Sequence, residues 1–330
     1  MKVIITTVPF GTIDPMPLEL LDEQGLRYEI NPLGRKLRPE EVAGVIGDAD
    51  IVIAGTEPIT DQVMEACPNL KAICRVGIGL DSVDLLAARS RGIAVSYTPD
   101  GPSPAVAELT IGLMIDLLRE VTKADRDIRA HKWFRKAGRR LSECTIGVIG
   151  CGRIGGGVIK HLSGGFPGVK ILANDLKAVP ELDGLVTWAD KDRIYNECDV
   201  ISLHVPLTPE TQNLIGVSEI SRFKKNAVLL NTARGGVINE ADLAEALREG
   251  MLAGAAVDAF ENEPYEGELC HLDNVILTCH LGSMTEDCRA RMEIEATEEA
   301  VRFAQSVPFL SPVPEDEYAM AERLAHKKGS

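Results

Sequence analysis

The stretch GVIGCGRIGGGVIKHL (residues 147–162) decides how the rest of the chain is read. Its apolar start reads as the end of a strand. Gly150, Gly152 and Gly155 then stand in GxGxxG spacing, and helical periodicity follows them. A tight β–α turn alone would look similar. In a strand–loop–helix context each glycine does something different. The first permits the turn, the second lets backbone approach a pyrophosphate, and the third lets the helix pack on the strand. The phosphates then meet the N–H groups of the helix N-terminus. Twenty positions beyond Gly155, at the end of the strand-like VKILAND, stands Asp175. A carboxylate there accepts hydrogen bonds from the adenosine ribose and repels the extra phosphate of NADP, so the expected cofactor is NAD, with Lys177 as the one opposing charge.

Working outward, TIGVIG, VKILAND, DVISLHV, NAVLLNT, AGAAVD and NVILTCH alternate with helical patterns, of which EADLAEALREG is the best marked. Upstream, KVIITT, LRYEIN, ADIVIAG, LKAICRV and GIAVSYT do the same, and SVDLLAARSRG is a helix closing at Gly92. Strand and helix in alternation imply parallel sheets covered on both faces, hence an α/β chain of two doubly wound parallel-sheet domains. Between them TPDGPSP can continue neither element. Residues 105–129 have the length and spacing of one long helix, with Leu109, Leu113, Leu117 and Val121 on its apolar face. A last helix is expected over 285–303, followed by the Pro-rich acidic SVPFLSPVPEDE and a frayed HKKGS end.

The bulk properties narrow the function. A chain of 330 residues exceeds what one core serves, and 45% hydrophobic against 4% aromatic residues suits aliphatic α/β layers. The formal charge of −15 argues against nucleic-acid and anionic-membrane partners, which draw affinity from clustered Lys and Arg. Eight cysteines without a CxxC pair read as free thiols in a reducing compartment, with no disulfide framework and no metal site. Cys151, inside the glycine loop, reads as a small apolar spacer. MKVIITTVPFG reads as a first strand rather than a signal peptide, and no apolar run is long enough to span a bilayer, so the expected location is cytoplasmic.

The chemistry gathers at strand ends. NTARGGVINE puts Arg234 just after a strand, where a planar guanidinium can hold a carboxylate through two parallel hydrogen bonds. AVDAFENEP adds Asp258 and Glu263 after the next strand, and NVILTCH brings His280 after the one following. A lone histidine at a strand end carries little information. Three consecutive strands ending in Arg, Glu and His are another matter, because ligands collect at that edge of a doubly wound sheet. Oxidation of a hydroxyl by hydride loss leaves a proton on oxygen, and imidazole is the side chain suited to exchange it near neutral pH.

In this order GCGRIG, Asp175, HVPLTPETQNLI, NTARGGVINE, AVDAFENEP and CHLGS, together with the N-terminal RVGIGLDSVDL and AVAEL, resemble the D-isomer-specific 2-hydroxyacid dehydrogenase family over nearly the whole chain. The resemblance implies a Rossmann NAD-binding domain, 100–288, inserted into a flavodoxin-like substrate-binding domain made of 1–99 and 289–330. It implies hydride transfer between NAD and C2 of a small D-2-hydroxy or 2-oxo acid. Arg234 would hold the substrate carboxylate, His280 exchange the proton, and Glu263 support the histidine. The implied cofactor surface comprises Gly150, Gly152, Arg153, Ile154 and Gly155, then Asp175, Val205 and Pro206. Thr232, Ala233 and Arg234 follow, with Asp258, His280 and Gly282. Asp258 matches a residue that orients the nicotinamide carboxamide, and Val76 and Gly77 correspond to backbone donors for the substrate carboxylate. Homodimerisation through the 105–129 helix is implied as well. Thr56, Glu57 and Pro58 depart from the phosphoglycerate-using members, which often offer an arginine and a serine there. Two other readings share these motifs: an NADPH-preferring glyoxylate or hydroxypyruvate reductase, and an NAD(H)-sensing binding module of the corepressor type.

Overall fold

Short β-branched runs separated by helices give each half of the chain its own parallel sheet. The computed structural model describes residues 1–177 and 179–328. The chain divides into two compact units, Met1–Pro102 with Ser283–Ser330, and Ser103–Gly282.

In the first unit β1 (Lys2–Ile5), β2 (Arg27–Ile30), β3 (Ile51–Ala54), β4 (Ala72–Arg75) and β5 (Ala94–Ser96) form a sheet in the order β2-β1-β3-β4-β5. All its pairs are parallel, the flavodoxin-like arrangement. The central strands IVIA and AICR are buried at every residue, as a sheet covered on both faces requires, whereas the edge strand RYEI is largely exposed. In SVDLLAARSRG the helix is Leu85–Ser90: Asp84 caps it by accepting the Ala87 N–H at 2.9 Å, and Gly92 turns the chain at φ 70°.

The long helix Glu286–Ala304 returns to pack on β3 and β4, which makes this unit discontinuous in sequence. A buried ion pair anchors it. Arg289 donates to Glu293 at 2.6 Å, to Thr7 Oγ1 at 2.8 Å and to the Pro9 carbonyl at 2.8 Å, while Glu293 accepts the Gly11 N–H at 2.8 Å. Breaking such a pair from one side leaves a buried charge unmatched and costs about 3–5 kcal/mol. The tail differs from its sequence reading. Glu315–Lys328 is helical, held where Arg89 lies 3.4 Å over the Tyr318 ring and pairs with Glu315 at 2.6 Å. Gly329 and Ser330, the end of the stretch expected to fray, lie outside the described residues.

In the second unit β6 (Thr145–Ile149), β7 (Lys170–Asn174), β8 (Thr187–Trp188), β9 (Val200–Leu203), β10 (Val228–Asn231), β11 (Gly254–Val257) and β12 (Val275–Leu277) are ordered β12-β11-β10-β9-β6-β7-β8. Every pair is parallel, and the order reverses between β6 and β9, the crevice where a doubly wound sheet takes its ligand. The two-residue edge strand β8 is too short to leave a periodic signal in sequence.

The helix expected over 105–129 is two helices, Ser103–Arg119 and Val121–Arg129, joined at Glu120 with φ 51°. Asp116 captures the Thr122 N–H at 2.8 Å and also its hydroxyl. The Leu118 carbonyl, which a continuing helix would offer to Thr122, instead accepts the Arg139 N–H at 3.1 Å. A side chain competing for backbone donors has ended the helix.

Candidate active site

The glycine loop leaves β6 at Gly150, whose φ of 91° lies in the left-handed region. A methyl group there would stand 2.4 Å from the His204 carbonyl oxygen, and one at Gly155 would stand 1.9 Å from the Gly150 carbonyl oxygen. Neither position tolerates a larger residue without moving backbone. Gly152 caps the helix Arg153–Gly165 and has open space where a side chain would be. No side chain caps that helix, so the N–H groups of Ile154 and Gly155 are left for an anion. This cradle fits a dinucleotide pyrophosphate.

Asp175 follows β7 and is exposed. It braces the same loop, accepting the Cys151 N–H at 2.6 Å and the Lys177 N–H at 3.3 Å, and it borders a shallow pocket with Trp188, Ala189 and Asp190. Its remaining lone pairs suit ribose hydroxyls. Cys151 is buried, and burial, helped by the Asp175 charge, pushes its thiol up to about 12, so it stays protonated as a spacer. Across the crevice His204 follows β9. Burial pushes its imidazole down to about 4, so a neutral ring stands there, sharing a 2.8 Å hydrogen bond with Ser202. Thr211 donates to the Pro206 carbonyl at 2.6 Å, fixing the turn that carries Val205 and Pro206.

The residues expected from sequence to be reactive follow the strand ends of β10, β11 and β12. After β10, Asn231 stitches the turn by accepting the Ala233 N–H at 3.1 Å and donating to the Arg234 carbonyl at 2.8 Å. The half-buried Arg234 side chain donates back to the Ala233 carbonyl at 2.7 Å. After β11, the Phe260 N–H donates to Glu263 Oε1 at 3.2 Å, and the same oxygen lies 2.8 Å from His280 Nδ1. A carboxylate on Nδ1 selects the tautomer with its proton there and leaves Nε2 for a substrate. His280 itself has φ 56°, a left-handed conformation that costs a non-glycine residue about 1–3 kcal/mol. It is imposed by the surroundings. The His280 N–H donates to the Asp258 carbonyl at 3.0 Å, and the buried Asp258 carboxylate accepts from Thr278 Oγ1 at 2.6 Å, Leu281 N at 2.7 Å and Gly282 N at 2.9 Å. The strained histidine is thus held beside a carboxylate.

Residues 111–282 match the family model for the NAD-binding domain of D-isomer specific 2-hydroxyacid dehydrogenases. The hydroxypyruvate reductase of Thermotoga maritima is 38% identical over 292 residues, covering 86% of this chain and 94% of that protein. The chain belongs to the D-isomer-specific 2-hydroxyacid dehydrogenase family. The D-3-phosphoglycerate dehydrogenase of Methanocaldococcus jannaschii is 42% identical over 261 residues, 77% of this chain but 49% of that one, so the chain spans about half that relative's length. Among solved structures, Aquifex aeolicus D-lactate dehydrogenase complexed with NAD and lactic acid superposes with a TM-score of 0.79 at 26% identity, covering 93% of this chain and 96% of that one. The protein is therefore an NAD-dependent oxidoreductase acting on small 2-hydroxy or 2-oxo acids.

Within this dehydrogenase several residues stand differently from their sequence reading. Val76 and Gly77 were expected to offer backbone donors, but the Val76 N–H extends the sheet ladder to the Ala54 carbonyl at 2.8 Å and the Gly77 N–H donates to Thr98 Oγ1 at 2.7 Å. The Ile78 and Gly79 N–H groups that follow have no backbone acceptor among the described residues. Asp258 spends three acceptor positions on the His280 loop, so its first duty is to hold that loop. Thr232 turns its hydroxyl onto Thr110 at 2.8 Å rather than presenting it at the strand end. Gly282 has no room for a side chain between Val106 and Asp258, with a methyl there 3.1 Å and 3.2 Å from them.

Proposed function

We propose that this dehydrogenase interconverts an unphosphorylated small D-2-hydroxy acid and its 2-oxo acid, with Arg234 as carboxylate clamp and His280 with Glu263 as the proton-exchanging pair. The observation that carries the assignment is the 2.8 Å contact between Glu263 and the left-handed His280, on the sheet edge that also bears Arg234 and the glycine loop. NAD, when bound, accepts or supplies the hydride at C2. Arg234 binds the carboxylate and draws electron density toward the 2-oxo oxygen. His280 gives its Nε2 proton to that oxygen in reduction and takes it back in oxidation, while Glu263 holds Nδ1 and stabilises the imidazolium.

The first unit supports the unphosphorylated substrate. Glu57 is buried, and its Oε1 accepts from the Thr6 hydroxyl and, at 2.8 Å, from the Gly55 N–H. A carboxylate in that loop supplies no donor to a phosphate and opposes its charge. A panel of 2-oxo acids, with and without phosphate or phosphonate, read by NADH absorbance, should give kcat/KM at least ~10-fold higher for the unphosphorylated acids, about 1.4 kcal/mol of discrimination. A preference for the phosphorylated ones would overthrow the substrate assignment.

Asp175 supports NAD over NADP. Replacing it by Ser should move the ratio of kcat/KM for NADH over NADPH toward NADPH by ~10-fold or more, because the repelled 2′-phosphate no longer faces a carboxylate. An unaltered ratio counts against that role. We also infer a homodimer: along and after the helix Val121–Arg129, Val121, Ile128, Trp133 and Phe134 are 54%, 52%, 82% and 64% exposed. Light scattering at micromolar concentration should give twice the chain mass, and Trp133→Glu should lower it; a wild-type monomer ends the inference. Eight free cysteines, six of them buried, support the reducing cytoplasm as the location. No helix among the described residues is long and apolar enough to cross a membrane.

A further inference from the structure

Glu240 opens the helix Glu240–Arg248, six residues after Arg234, and its half-buried carboxylate reaches the loop that follows β11. Its Oε1 accepts the Glu261 N–H at 2.8 Å, two residues before Glu263. From another side Gly235 presses on the same loop: a methyl group on Gly235 would stand 2.0 Å from the Phe260 carbonyl carbon and oxygen and 2.4 Å from the Glu261 nitrogen. Beyond Glu263 the Phe260 ring stacks on Tyr265 with centroids 4.3 Å apart, which closes the loop on itself. Besides the bonds of Glu263 itself to Phe260 and His280, the segment is thus held by the close approach of Gly235, the ring stack and the Glu240 acceptor.

That acceptor sits in an unfavourable place for a charge. Burial raises the Glu240 carboxyl above its usual range, and the neighbouring Glu261 and Glu263 charges push the same way. Tyr265 also faces it, itself raised by burial and by nearby acids that include Glu240. A helix-dipole role alone does not account for this, since Asn239 already caps the helix by accepting the Asp242 N–H at 3.0 Å. What the position requires is an oxygen at the right distance from the Glu261 N–H.

We propose that Glu240 is a positioning residue for the acid–base pair: by fixing the Glu261 N–H it sets the place of Glu263, and through Glu263 the orientation of His280. The inference rests on the roles given to His280 and Glu263 above. It predicts that Glu240 matters to turnover, that an oxygen rather than a charge is what matters, and that the effect passes through Glu263.

The test compares kcat and KM for 2-oxo acid reduction at saturating NADH, and the pH profile of kcat, in the wild type, Glu240→Ala, Glu240→Gln, Glu263→Gln and the double variant Glu240→Ala/Glu263→Gln. Glu240→Ala should lower kcat ~10-fold with KM changed less than ~3-fold, since an interaction felt in the transition state is lost. Glu240→Gln should stay within ~3-fold of wild type with an unshifted profile, because its amide oxygen still accepts the Glu261 N–H. In the Glu263→Gln background Glu240→Ala should add less than ~2-fold, as coupled residues are not additive. If Glu240→Ala does not fold, Glu240→Asp, one methylene too short to reach Glu261, replaces it. Wild-type kcat in the Ala variant, equal losses in Ala and Gln, or full additivity in the double variant overturns the proposal. Should Glu263→Gln alone leave kcat unchanged, the acid–base reading falls first and this inference falls with it.

Discussion

Replacing His280 by alanine is expected to cut turnover by at least ~100-fold while NADH binds as before, in line with the contribution of a positioned general acid or base. The two readouts separate because the groups lie in different places. The cradle proposed for the pyrophosphate is built from Gly150, Gly152 and Gly155, and Asp175, proposed for the ribose, is braced on Cys151. None of these hydrogen bonds involves the imidazole. His280 instead hangs from Asp258 by its own N–H and from Glu263 by Nδ1. A second variant guards against misfolding. Asn tolerates the left-handed region better than Ala does, so His280→Asn should keep the φ of 56° and the Asp258 contacts while removing the proton carrier. Both variants should lose a similar factor in kcat, about 2.7 kcal/mol or more in the barrier. Near wild-type turnover in the Asn variant would take His280 out of the mechanism, whatever the alanine variant did.

Much of this was open to reading in the chain itself, for reasons that also explain what was not. The glycine loop and Asp175 are legible because their constraints are local: spacing, a turn, and a strand end. Arg234, Glu263 and His280 are legible because parallel strands in sequence order deliver their C-terminal ends to one edge. What depends on competition between side chains and backbone is hidden. Asp116 and Thr122 each look helix-compatible, yet together they end a helix at Glu120. No sequence pattern shows that the ladder runs on through Val76, or that Thr98, twenty-one positions away, takes the Gly77 N–H. That Glu57 is buried on Thr6, a partner from another strand end, is equally absent from its local sequence. Contacts between distant segments carry no local trace, and Glu240 belongs to this class.

Arg234→Lys is the other substitution expected to have a large effect: kcat/KM for the 2-oxo acid should fall ~100-fold or more, with kcat and KM both worsened and NADH binding retained. The charge is conserved, so a simple electrostatic account would predict little change. Two features of the guanidinium are lost. It offers two parallel N–H groups to a carboxylate where ammonium offers a point charge. Its plane is pinned by the 2.7 Å donation to the Ala233 carbonyl, which a lysine cannot make while also reaching the substrate. Asn231 fixes the backbone of this turn in either variant, so the loss lies in the side chain alone. Because the clamp also polarises the 2-oxo group, misplacing it should lower the chemical step and not binding alone. A variant in which KM rises while kcat stays at the wild-type value would mean that Arg234 binds the acid but takes no part in activating it. Unchanged constants would place the carboxylate elsewhere.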